Sequence, residues 1–207
     1  ACAELAAGLA ARGVQRGDRV GVLMDVSLDS VVLWFAVARL GAVYAPVNTS
    51  YLGDFLRHQI VDSGAKLFVV DRDYAVRLNG IADEVPALER VIIRGGSPEQ
   101  SLPWPVADFG ELPVEPEAPF LPVSPDDLAM LIYTSGMTGP SKGCMISHGY
   151  ACQHMRTMRA GHLLERHDVI HLSLPFFHLV APCGLTLAAA EVGAQVAVIP
   201  RFSVSKF

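Results

Sequence analysis

The chain of 207 residues has no apolar run long enough to cross a bilayer. Its longest, "VVLWFAVA" at 31–38 and "LVAPCGLTLAAA" at 179–190, fall short of the roughly 18 to 20 residues a span needs. It is also poor in positive charge. Sixteen basic against 21 acidic side chains, a net charge of -5 and a pI near 5.8 provide none of the basic footprint that nucleic-acid binding requires. Cysteine is sparse: Cys2, Cys144, Cys152 and Cys183 form no CxxC pair and no regular framework, which points to a reducing, cytoplasmic setting. Cys144, His148, Cys152 and His154 lie close together without zinc-site spacing, so no metal site is assigned. No secretory signal opens the chain. It starts on Ala1, inside an Ala-rich helical pattern, and reads as a piece of a longer protein.

Apolar residues make up 51% of the chain, ample for a buried core. Short apolar runs at 19–24, 42–47, 66–70 and 90–94 alternate with helical patterns at 3–12, 28–40, 53–62 and 73–85. Ser27 is a predicted N-cap, and Gly13, Gly41 and Gly64 are predicted helix stops. Strands without polar alternation imply parallel pairing, hence an α/β fold of mostly parallel sheet layers with helices on both faces. Residues 95–127 hold 8 of the 14 prolines and seven acidic side chains with no basic one, and predict an extended surface connection. Beyond it, strands are expected at 128–134, 144–148, 169–175 and 195–199, with helices at 150–164 and 179–191. The organisation that follows is a first αβ region at 1–94, the connection at 95–127, strands and a helix completing that subdomain at 128–167, and the start of a second αβ subdomain at 168–207.

Within the segment 131–147, "LIYTSGMTGPSKGCMIS", residues 134–143 carry four hydroxyls (Thr134, Ser135, Thr138, Ser141), three glycines (Gly136, Gly139, Gly143), Lys142 and no acid. Glycines let backbone amides approach an anion, hydroxyls donate to its oxygens, and the ammonium neutralises charge, so a phosphate is the expected guest. It lies in the only net-basic part of the chain, residues 128–207, with six basic and three acidic side chains. A Walker loop is excluded, because Ser141 precedes Lys142 where glycine is required and Gly143 follows it where a hydroxyl is required. The spacing of the dinucleotide fingerprint is absent as well. On composition alone, a plain Gly/Ser-rich hairpin turn is the alternative.

"YTSGMTGPSKG" at 133–143 resembles the phosphate loop of the adenylate-forming enzymes, whose pattern runs approximately T-S-G-T-T-G-x-P-K-G. "GVQRGDRVGVLM" (13–24), "LGAVYAPVN" (40–48) and "LPFFHLVAPCG" (174–184) resemble further segments of the same family, in the same order. The resemblance implies the large N-terminal domain of an enzyme that activates a carboxylate with ATP to an acyl-adenylate and transfers the acyl group to coenzyme A. It implies that Thr134, Ser135, Gly136, Met137, Thr138, Gly139 and Lys142 line the β- and γ-phosphate site and that His178 positions the carboxylate. The remaining histidines (His58, His148, His154, His162, His167, His171) read as structural. A small carboxylic acid, ATP and coenzyme A are the implied ligands. The Mg2+ ligand, the ribose Asp and the catalytic lysine of the family are expected beyond residue 207, so this polypeptide alone is expected to be inactive. Apolar surface left open by the missing half is expected to drive self-association. Within the family the late segment is most similar to carboxylate–CoA ligases, including carnitine/crotonobetaine-type and medium-chain members. Transfer to a carrier protein, or a non-catalytic nucleotide-binding or structural role, is the alternative.

Two loop positions depart from the pattern: Ser141 stands where Pro is common, and Met137 where Thr or Ser is usual. A hydroxyl donor to a charged oxygen is worth roughly 1.5 to 3 kcal/mol, about 10- to 150-fold in affinity. Met137→Thr therefore lowers the KM for ATP in the whole protein. Unchanged ATP kinetics in that variant would show that position 137 does not reach the phosphates.

Overall fold

The computed structural model of the chain describes residues 1–112, 120–134, 140–162 and 164–199. Strand β1 (Arg19–Leu23) lies at the centre of a sheet, flanked in parallel by β2 (Val43–Pro46) and β3 (Leu67–Asp71). β4 (Arg90–Arg94) and β5 (Val106–Asp108) extend the β3 side, also in parallel. On the other side β6 (Leu128–Thr134) pairs parallel with β2, and β7 (Lys142–Ser147) closes the edge antiparallel to β6. A separate parallel pair, β8 (Val169–Leu172) and β9 (Gln195–Val198), follows. The expected mostly parallel α/β sheet is what forms.

Helices cover both faces because each central strand is apolar on both. Val20, Val22, Val69 and Ile92 meet α1 (Cys2–Ala11) and α2 (Leu28–Arg39) through Leu9, Leu33 and Val37. Their neighbours Leu23, Phe68, Val70 and Ile93 point the other way, onto Leu56 and Ile60 of α3 (Gly53–Ser63) and Tyr74 and Leu78 of α4 (Arg72–Asn79). This is the two-residue pleat applied to a sheet buried on both sides, and each such side chain contributes roughly 1.5–3 kcal/mol on burial. Gly21 shows how tight the layer is: a Cβ there would sit 2.0 Å from the Phe68 ring. The helix boundaries follow local chemistry. The Ser27 hydroxyl accepts from the Ser30 N–H at 3.2 Å while the Ser30 hydroxyl accepts from the Ser27 N–H at 2.9 Å, a reciprocal cap. Gly64 closes α3 at φ 61°.

Four element bounds differ from expectation. The Pro-rich connection is not featureless: β5 and a 3-10 turn at Phe109–Glu111 lie within it, and Ala107 and Leu112 are buried. Proline is compatible with this because β5 is an edge strand and Pro105 precedes it, its carbonyl accepting from the Val91 N–H at 3.0 Å. The helical stretch at 73–85 divides into α4 and a 3-10 turn at Ala82–Glu84. The helix expected at 179–191 begins as a π-helical segment, Val180–Thr186, and only then becomes α6 (Leu187–Val192). Pro182 lies inside it with no N–H to give, which favours the widened turn. Helix α5 (His148–His162) starts two residues before the expected 150, because the Ser147 hydroxyl accepts from the Tyr150 N–H at 3.1 Å and caps the first turn.

Candidate functional site

In a doubly wound sheet the usual ligand crevice lies beyond the carboxyl ends of the strands where the order reverses, here between β1 and β3. That crevice, about 540 Å³, is open to solvent, and Asp25, Ser27, Asp71 and Arg94 on its wall are engaged in the chain's own polar contacts. The Arg94 guanidinium donates to both Asp71 oxygens at 2.6 and 3.0 Å, to the Ser27 hydroxyl at 2.7 Å and to Asp29 at 3.2 Å. Asp71 also accepts from the Asp25 N–H at 2.9 Å, and Asp25 from the Tyr74 hydroxyl at 2.8 Å. These groups are satisfied among themselves.

The phosphate-type segment lies away from that central crevice, at one edge of the sheet, in the β6–β7 hairpin. Antiparallel register pairs Thr134 with Lys142, Tyr133 with Gly143 and Ile132 with Cys144. Residues directly opposite each other share a face, so Thr134, Lys142 and Cys144 project to one side, where the Thr134 hydroxyl lies 3.9 Å from the Cys144 sulfur. Ser135, Gly136, Met137, Thr138 and Gly139 lie outside the described residues. The other face rests on α3. The Tyr133 hydroxyl donates to Asp62 at 2.7 Å, and the His58 ring nitrogen Nε2 bonds the Ser141 carbonyl at 2.7 Å. The Gln59 amide reaches the Ser141 hydroxyl at 3.5 Å. Burial and the Asp62 carboxylate push the Tyr133 phenol pKa up, so it remains a donor. Gly143 packs closely beside that ring: a Cβ would stand 3.2 Å from it, and the ring would have to shift slightly.

His178 sits on a turn whose N–H donates back to Pro175 at 3.0 Å. Phe176, 4% exposed, anchors the turn by an edge-on contact with Trp34 of α2 at 5.9 Å, while His178 is exposed with its ring 4.7 Å from Phe177. The π-helical segment that follows packs on β6, where the Cys183 thiol meets the Met130 sulfur at 3.8 Å. Burial pushes that thiol up to about 12. Met130 and Thr134 have the same parity on β6, so the segment after His178 covers the face to which Thr134 and Lys142 point. Thr134 and Lys142 are therefore brought together, and His178 is carried separately on that side of the sheet. The α3 residues that contact the hairpin had no local sign in the sequence, and His58 read as structural. Among the described residues no group of three His, Cys, Asp or Glu side chains could hold a metal ion.

The family model "AMP-binding enzyme" matches residues 1–207. The 4-coumarate–CoA ligase 2 of Oryza sativa subsp. japonica is 30% identical over 98% of this chain and 38% of its own length. The crystal structure of a long-chain-fatty-acid-CoA ligase (FadD1) from Archaeoglobus fulgidus superposes with a TM-score of 0.86 at 28% identity, over 99% of this chain and 39% of that one. ATP-bound MatB from Rhodopseudomonas palustris gives 0.83 at 28% identity, over 99% and 39%. The chain spans less than two fifths of the length of these relatives.

His148, at the β7–α5 junction, has its pKa lowered by burial, which outweighs the opposing charge of Asp127. Asp127 is itself lowered by the Ser124 N–H and by Arg16, whose guanidinium lies 2.6 Å away. Both shifts act in one direction. A depressed folded pKa means the unfolded chain binds the proton more readily, so stability is complete above the ordinary value and is lost as pH falls through the folded one. Unfolding titrations should show stability falling as the pH drops below the ordinary imidazole range, through His148, and again below the ordinary carboxylate range, through Asp127. His148→Gln flattens only the first step. A wild-type slope in that variant would remove His148 from the account.

Proposed function

The chain belongs to the AMP-binding enzyme family, and from that premise we propose that its parent protein is an AMP-forming acid–CoA ligase. A carboxylate oxygen attacks the α-phosphorus of ATP, the bond to the β-phosphate oxygen breaks, and pyrophosphate leaves with the electron pair. The thiolate of coenzyme A then attacks the acyl carbon and displaces AMP. The observation that supports this reading is the cross-strand pairing of Thr134 with Lys142 at the end of the hairpin. One hydroxyl and one ammonium thereby share a face at the start and finish of a Gly- and Ser-containing loop. In the proposal Lys142 neutralises charge that grows on the departing pyrophosphate, a contribution made mainly in the transition state. Thr134 and Ser135, Gly136, Met137, Thr138 and Gly139 supply geometry and donors around the β- and γ-phosphates. His178 orients the carboxylate from the turn fixed by Phe176.

The described residues offer no metal-ligand cluster, so no step here is assigned to Mg2+, which the reading places on groups outside this chain. The relatives' names differ in their acids, coumarate in one and a long-chain fatty acid in another, and the proposal extends to a small carboxylic acid without naming it. Four free cysteines and the absence of any membrane-length apolar helix among the described residues support a cytoplasmic enzyme. Exposed Met145 on edge strand β7 and exposed Val169 on β8 support self-association of the isolated chain. Sedimentation as a monomer at high concentration would contradict it.

ATP–pyrophosphate exchange in the whole protein, run with a panel of carboxylic acids, tests the reading. Acid-dependent exchange is expected, with Lys142→Ala raising the KM for ATP about 10- to 150-fold. The 207-residue chain alone gives no exchange in this proposal. Exchange that is indifferent to Lys142→Ala would overturn the assignment of the loop.

A further inference from the structure

We infer that α3 is a positioning brace for the phosphate-type hairpin and that His58 is the residue through which it orients Lys142. The inference rests on the reading of the loop proposed above. It starts from the peptide unit joining Ser141 to Lys142. The Ser141 carbonyl accepts from His58 Nε2 at 2.7 Å across 83 residues of sequence. A carbonyl cannot donate, so the imidazole presents its Nε2–H, as either the matching neutral tautomer or the imidazolium does. A trans peptide is planar and its C=O and N–H point in opposite directions. Holding the Ser141 oxygen on α3 therefore aims the Lys142 N–H away from α3. The Lys142 side chain already faces away, because it shares the face of Thr134. The His58 hydrogen bond thus orients the Lys142 peptide, and the strand pairing sets the face of its side chain.

The second strand is held in the same way. Tyr133, immediately before Thr134, donates its hydroxyl to Asp62 at 2.7 Å. His58 and Asp62 are four apart on α3 and so lie on one helical face, with Gln59 between them, 1% exposed and reaching the Ser141 hydroxyl at 3.5 Å. The residue before Thr134 and the residue before Lys142 are both tied to one helix, on the face opposite the proposed ligand. Helix α3 is itself anchored by Leu56 and Ile60, which are 0% and 1% exposed in the core. The hairpin lies at a sheet edge, where β7 has no outer neighbour among the described residues. Among the described residues β7 is supported by β6, by α5 and by α3, and of the two helices it is α3 whose side chains bond Tyr133 and Ser141.

The test is calorimetric titration of the chain with inorganic pyrophosphate, alongside thermal melting. His58→Leu, which cannot donate, is expected to weaken pyrophosphate binding about 5- to 30-fold with the melting temperature held within a few degrees. His58→Gln, whose amide can donate to the same carbonyl, is expected to restore binding. Tyr133→Phe loses only the hydroxyl and should weaken binding in the same direction, which keeps the test open if His58→Leu does not fold. Wild-type affinity in whichever of these two variants folds overturns the brace, as does a His58→Gln protein no better than His58→Leu. Lys142→Ala separates the two ideas. If it weakens binding and the brace variants do not, the brace alone fails; if it leaves binding unchanged, or wild type binds no pyrophosphate, the loop reading fails and the brace with it.

Discussion

Thr134 and Lys142 face each other because β6 and β7 run antiparallel, and that single reversal at the edge of a parallel sheet organises the candidate site. Parallel strands need a long crossover between them, usually a helix, so consecutive parallel strands cannot bring two near neighbours in sequence across from each other. The hairpin does so for Thr134 and Lys142, eight positions apart. It also sorts side chains by parity. Even positions turn towards the segment after His178, and odd positions turn towards α3. A site with donors on one side and supports on the other follows from the pleat alone.

The ordinary crevice of a doubly wound sheet is not the candidate here because its polar side chains are already partnered. At the β1–β3 switch point the chain places Asp71 and Arg94, each under a quarter exposed, in a two-pronged ion pair. Groups this far from water are tolerated only when fully partnered. Here the partners are Ser27, Asp29 and Asp25, not a ligand. These contacts tie the ends of β1, β3 and β4 to the first turn of α2. The centre of the sheet is then committed to its own stability, and the proposed phosphate site falls to the hairpin at one edge.

Much of this was legible in the sequence, for reasons that are local. Ser27 and Gly64 mark helix ends because a hydroxyl cap and a left-handed glycine act within a few residues. Apolar strands without alternation signal burial on both faces. The loop between strands separates itself from a Walker loop by the neighbours of Lys142. What was not legible depends on distance or on a single residue's backbone chemistry. β5 hides in a Pro-rich stretch because an edge strand needs few ladder donors, and Pro182 turns an expected α-helix into a π-helical start. His58, Asp62 and Tyr133 meet across 71 to 83 residues of sequence, and no spacing rule along the chain announces such contacts. His58 therefore read as structural, which describes its bond to a carbonyl correctly and misses which carbonyl it is.

His178 differs from the hairpin in how it is held. Lys142 is fixed through backbone hydrogen bonds on a strand, whereas His178 owes its place to Phe176, a side chain locked edge-on against Trp34 of α2. A strand has little freedom to move without breaking its ladder. A turn pinned by one aromatic contact and followed by a π-helical segment can adjust with a smaller loss of hydrogen bonding. If the loop holds the phosphates and His178 the carboxylate, the more rigid support then belongs to the part of the substrate that every member of the family shares, ATP. The more adjustable one belongs to the acid, which differs between the relatives.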